Sequence, residues 1–142
     1  MSTTLKSAGD AIRARFKTLV QDASNVDANK IDVAYENSPL KQPVDKEQKW
    51  INLVILWDEQ SQVAMGATPR WRQTGIMVAQ INVPLGEGDS TAREIADNIT
   101  THFRGVSFSS ITFRAVQPRR VGRVGNWWRF DLNCPFYIDE VI

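Results

Sequence analysis

The chain has 142 residues, 42% of them hydrophobic and 23% charged, with a net charge of +1; these values suit one soluble globular domain of ~100–200 residues, spanning 1–142. The longest apolar run, residues 51–57, is broken by Asn52 and falls far short of the ~20 residues a membrane span takes. Cys134 and His102 are the only residues of their kinds, which excludes an internal disulfide, a thiolate metal cage and a His-pair zinc site.

At the N-terminus no apolar stretch precedes a small-residue cleavage site, so a cytosol-folded protein without a secretory leader is expected. Leu5, Ala8, Ile12, Phe16 and Leu19 then recur at steps of three and four, which predicts a helix over 4–21. Residues 21–30 are rich in Asp, Asn and Ser and read as a loop. Residues 31–35 alternate as a short strand, ended by Asn37-Ser38-Pro39, and residues 40–49 read as a surface connection. Residues 50–57 are almost wholly apolar, β-branched or aromatic, the pattern of a strand buried on both faces.

Residues 58–69 have no period and read as a loop, whereas residues 70–83 read as a long strand with Met77, Ala79, Ile81 and Val83 on one face. Pro84 stops that strand, and Gly86-Glu87-Gly88 turns the chain; it lacks the lysine of a Walker loop and the third glycine of a dinucleotide turn. Thr91 and Glu94 have capping-box spacing at the start of a second helix whose stripe is Ala92, Ile95, Ala96, Ile99 and Phe103. Arg104 suits the negative end of that helix, and Gly105 suits the left-handed position after it.

Residues 110–116 read as a strand, and Pro118 opens an arginine-rich turn. In the last segment, 128–138, Trp128, Phe130, Leu132, Cys134, Phe136 and Ile138 alternate with polar Arg129, Asp131 and Asn133. Pro135 places this strand at an edge, or with its missing N–H turned away from a neighbour. The succession predicts an α+β fold: a single mixed, mainly antiparallel sheet of about five strands with two helices packed on one face. The other face is solvated or covered by a partner.

Chemistry is sparse. His102 reads as a helix-end residue and Cys134 as a buried structural thiol, and the acids lack the clustering of a metal loop, so the chain is expected to be no enzyme and to need no cofactor. Residues 104–130 carry six arginines and no acid, a basic segment that can meet phosphate or an acidic protein surface. Five tryptophans exceed the needs of so small a core, and Trp and Arg are enriched where proteins meet. The candidate interface residues are Trp57, Trp71, Arg119, Arg120, Arg123, Trp127 and Arg129, with Trp128 buried and Trp127 on the polar face. The 58–74 segment, between Trp57 and Trp71, is expected to be mobile until it meets a neighbour.

The order of several short motifs also carries a resemblance. Val33-Ala34-Tyr35-Glu36-Asn37 is followed by Gln73-Thr74-Gly75-Ile76, then by Gln80-Ile81-Asn82-Val83-Pro84-Leu85-Gly86-Glu87-Gly88. Ile95-Ala96-Asp97 and His102-Phe103-Arg104-Gly105 lie on the second helix, and the 128–138 strand closes the chain. Over nearly its whole length the sequence resembles the tail terminator (tail-completion) proteins of long-tailed bacteriophages. That resemblance implies a structural virion protein that caps the head-proximal end of the tail tube, stops tube polymerisation and offers the head-docking surface. It implies a homohexameric ring, with the tail tube protein and a head-completion or connector protein as partners. DNA would be met only in transit, no membrane is involved, and assembly takes place in the host cytoplasm. The 128–138 strand edge is the expected seam of that ring. The competing readings are a small nucleic-acid-binding module using the 104–130 arginines and, more remotely, an enzyme subunit whose site is shared between chains.

Overall fold

A computed structural model describes residues 5–22, 32–35, 49–64, 70–86, 90–125 and 127–139. Helix α1 spans Leu5–Phe16 and winds on through a π-type turn, Lys17–Asp22; helix α2 spans Ser90–Phe103. The strands are β1 (Asp32–Tyr35), β2 (Trp50–Ala64), β3 (Arg70–Pro84), β4 (Ser107–Phe108), β5 (Ile111–Phe113), β6 (Gln117–Val124) and β7 (Trp127–Asp139). They form one sheet in the order β1-β2-β3-β7-β5-β4, with β6 also paired to β7. The expected α+β sheet of about five strands under two helices is therefore corrected. The fold is mostly β, and the seven strands among the described residues curl into a half-barrel.

The two extra strands, β4 and β6, escaped the sequence reading for a physical reason. β6 is exposed along nearly its whole length, so no alternation marks it, and its pairing with β7 alone makes the arginine-rich segment a strand. The expected loop at 58–69 is also largely strand. β2 runs on to Ala64 opposite β3, with bulges between Trp57 and Gln60 and between Gln62 and Ala64. Side chains of β3 stitch the first bulge: Gln73 Nε2 donates to the Asp58 carbonyl at 2.7 Å, and Thr74 Oγ1 donates to the Glu59 carbonyl at 3.0 Å. The connections at 23–31, 36–48, 65–69 and 87–89 lie outside the described residues.

Register explains the core. Ile51, Ile81 and Phe130 stand in one row across β2, β3 and β7, followed by Leu53, Ala79 and Leu132, then Ile55, Met77 and Cys134. Directly opposed residues share a face, and this face packs with Ala8, Ile12 and Phe16 of α1 and Ala92, Ile95, Ile99 and Phe103 of α2. β2 is not buried on both faces as its composition suggested. Ile51 and Leu53 are enclosed, whereas Leu56 is 53% exposed. The helix boundaries also shift: α2 starts at Ser90, so Thr91 is already inside it and the cap position lies outside the described residues. Gly105 has φ +66, the left-handed conformation expected there.

β7 is the central strand, not an edge, because β3 pairs along one side and β5 and β6 share the other. The seam expected at 128–138 is thereby ruled out. Pro135 is tolerated because it sits between these two pairings: its carbonyl accepts from Arg114 N at 3.0 Å, and its missing N–H faces the non-strand residues that join β5 to β6.

Gly75 lies in the row between Trp57 and Phe136, and a Cβ there would come within 2.6 Å of Phe136 Cζ and 2.9 Å of the Leu56 carbonyl oxygen. The backbone oxygen cannot yield without breaking the ladder. Gly75→Ala is expected to destabilise by about 2 kcal/mol, read by urea unfolding. A Phe136→Leu background should recover part of that loss, and additive effects would contradict the proposed clash.

Candidate interaction surfaces

The seven interface residues named from sequence do not converge on one site. Trp57 and Trp71 lie on the β2–β3 hairpin, 38% and 41% exposed, and strand parity puts both on the helix-bearing side. Trp57 meets the edge of Phe136 at 5.7 Å and 88°, beside a cleft lined by Leu5, Gly9 and Ile55. Arg119, Arg120, Arg123, Trp127 and Arg129 gather on the β6–β7 hairpin at the far end of the sheet. Eight residues of β3 separate Gly75, opposite Trp57, from Val83, opposite Trp128; at ~3.3 Å per residue the ends stand roughly 26 Å apart.

The β6–β7 end differs in detail from expectation. Trp127 is on the polar face, as alternation required, but it is only 4% exposed, held at 6.1 Å and 77° against Trp50. Trp128 is the half-buried one, stacked on Phe130 at 6.1 Å. Arg129 is taken up by Asp131 in a bidentate pair of 2.7 and 3.0 Å, a hydrogen-bonded partnership that raises its pKa. By contrast, Arg119, Arg120 and Arg123 are exposed and form no ion pair among the described residues.

Three arginines to which local spacing assigned no such role hold the fold together. Arg15 of α1 donates Nε and Nη2 to the His102 carbonyl at 3.1 and 2.9 Å and lies over Phe108 at 4.7 Å. It thus satisfies the end of α2, where Arg104 and the His102 ring were expected to act. Arg72 and Arg114 flank Tyr137, at 4.3 and 4.9 Å from its ring centre. Neither long-range pairing leaves a trace in local spacing.

Cys134 is enclosed, and burial pushes its thiol up to about 12. Because the thiolate is the reactive form, native protein at neutral pH should resist alkylation and react only on unfolding. Rapid native labelling by a thiol reagent would contradict this. Among the described residues no three His, Cys, Asp or Glu side chains gather to hold a metal.

Residues 8–126 match the phage tail terminator protein family. The chain belongs to that family. It is a structural component of phage tails, and its work is done by contact with other tail or head proteins. A search of curated proteins finds no match. One solved structure, 16% identical, superposes with a TM-score of 0.63 over 92% of this terminator and 94% of its own chain, which establishes a shared fold.

Proposed function

We propose that this terminator closes the head-proximal end of the tail tube as a ring of six, halting tube growth and presenting the surface on which the filled head docks. The observation that carries this reading, beyond family membership, is the separation of its contact groups. Exposed Trp57 and Trp71 stand at one end of a long sheet and exposed Arg119, Arg120 and Arg123 at the other. A ring seated on a tube end needs one contact surface for the neighbouring subunit and another for its axial partners. The tail tube protein and a head-completion or connector protein are the axial partners, and DNA only passes through. The finished protein resides in the virion tail after assembly in the host cytoplasm.

The exposed Trp57 and Trp71 of the β2–β3 hairpin are the residues that meet a neighbouring subunit or the tube. The direct test is electron microscopy of purified tail tubes with micromolar terminator. Added density closing one end of each tube, with growth stopped at that end, is expected; bare ends would overturn the reading. A nucleic-acid-binding module remains the second reading, favoured by the same exposed arginines beside the Trp128–Phe130 stack.

A further inference from the structure

We infer that neighbouring subunits join as one continuous sheet, with β6 of one copy pairing antiparallel to β1 of the next. The inference rests on the ring reading above and names its seam. β1 and β6 lie at opposite margins of the sheet, and among the described residues neither has a strand on its outer side. β4, which shares the β6 margin, is only two residues long and offers little to a partner.

Strand direction favours this pairing. β1 runs parallel to β2, β3 runs against β2, β7 against β3, and β6 against β7, so β6 runs opposite to β1 within a single copy. Rotation about an axis along the strands preserves that sense. Each β6 therefore meets the next β1 in antiparallel orientation, where ladder bonds are perpendicular and well aligned. Repeating one such head-to-tail contact until it closes leaves no open edge.

Charge selects the partner. β6 offers Arg119, Arg120 and Arg123, and the sequence around β1 carries Asp22, Asp27, Asp32 and Glu36 against the single base Lys30. In sequence, the stretch that contains β1 is thus acidic where β6 is basic, which points to a second copy as the occupant. Pro118 and the bulge between Arg120 and Gly122 discourage indiscriminate pairing along β6.

Cysteines placed at Ala34 of β1 and Val121 of β6 test the seam in full-length protein on tail tubes, with a short bis-maleimide as probe; buried Cys134 stays in place. The doubly substituted chain should give a ladder of cross-linked species ending at six copies, and neither single variant should. Density closing the tube ends without a ladder would overturn the seam and leave the ring. Absence of both would overturn the ring and the seam with it. Cross-linked dimers from Val121→Cys alone would show β6 meeting β6 and reject the pairing. As an independent check, Arg119→Glu, Arg120→Glu and Arg123→Glu together should reduce tube capping at least tenfold. Adding Asp27→Lys, Asp32→Lys and Glu36→Lys to the same chain should restore it; failure to restore would overturn the charge matching.

Discussion

Phe103→Ala is expected to cost about 4 kcal/mol, the usual scale for emptying a buried phenylalanine site, which at this chain length lowers the melting temperature by roughly 12–16 °C. The ring is fully enclosed and lies 5.1 Å from Phe113, 6.0 Å from Phe16 and 6.3 Å from Phe108, so it joins both helices to the β4–β5 hairpin. Arg15, 5.7 Å from the same ring, loses a surface to lie on, although its bonds to the His102 carbonyl do not require it. Several elements meet at this ring, so the cavity cannot close by moving one of them. Differential scanning calorimetry reads the effect, and a shift under ~3 °C would show that the site collapses. Phe103 reaches no exposed surface, so variant protein that remains folded at low temperature should still cap tubes.

Replacing Arg119, Arg120 and Arg123 together by alanine should abolish tube capping while leaving the fold intact, because all three side chains are exposed. The same variant separates the two functional readings. Three phosphate contacts would give wild-type DNA binding a log–log salt slope of about −2.7. Register argues against so many on one duplex. Arg120 and Arg123 stand across β7 from Phe130 and Trp128, whereas Arg119 stands across from Asp131, so the three are divided between the faces of the ribbon. A duplex on one face reaches two of them at most, for a slope of about −1.8. A protein partner docking on the strand edge reaches both faces. We therefore expect DNA affinity no tighter than the non-specific range, ~10⁻⁴–10⁻⁶ M, little changed by the triple substitution. Sub-micromolar, salt-sensitive binding that disappears in the triple variant would favour the nucleic-acid module instead. Under the proposed capping role DNA has to slide past the ring, and a tight grip on it would oppose that passage.

Local pattern was enough wherever burial is one-sided. The stripes of α1 and α2 and the buried alternations of β3 and β7 were legible because each of those residues meets the core at its own helical or strand period. The absence of a catalytic constellation was argued from residue types alone, and the motif order carried the family. Tertiary structure decided what has no local period. β6 is a strand only because β7 pairs with it, and β2 continues past Trp57 only because Gln73 and Thr74 satisfy the bulge carbonyls across the hairpin. β7 became central, and the expected seam moved, because strand order depends on long-range pairing that side-chain alternation does not encode. The site divided similarly. The sequence marked the tryptophans and arginines by their surplus, but only register could place them at opposite ends of the sheet, bury Trp127 against Trp50 and tie Arg129 to Asp131. Composition states which side chains are available; which of them remain free to meet a partner is determined by the contacts the folded chain has already used.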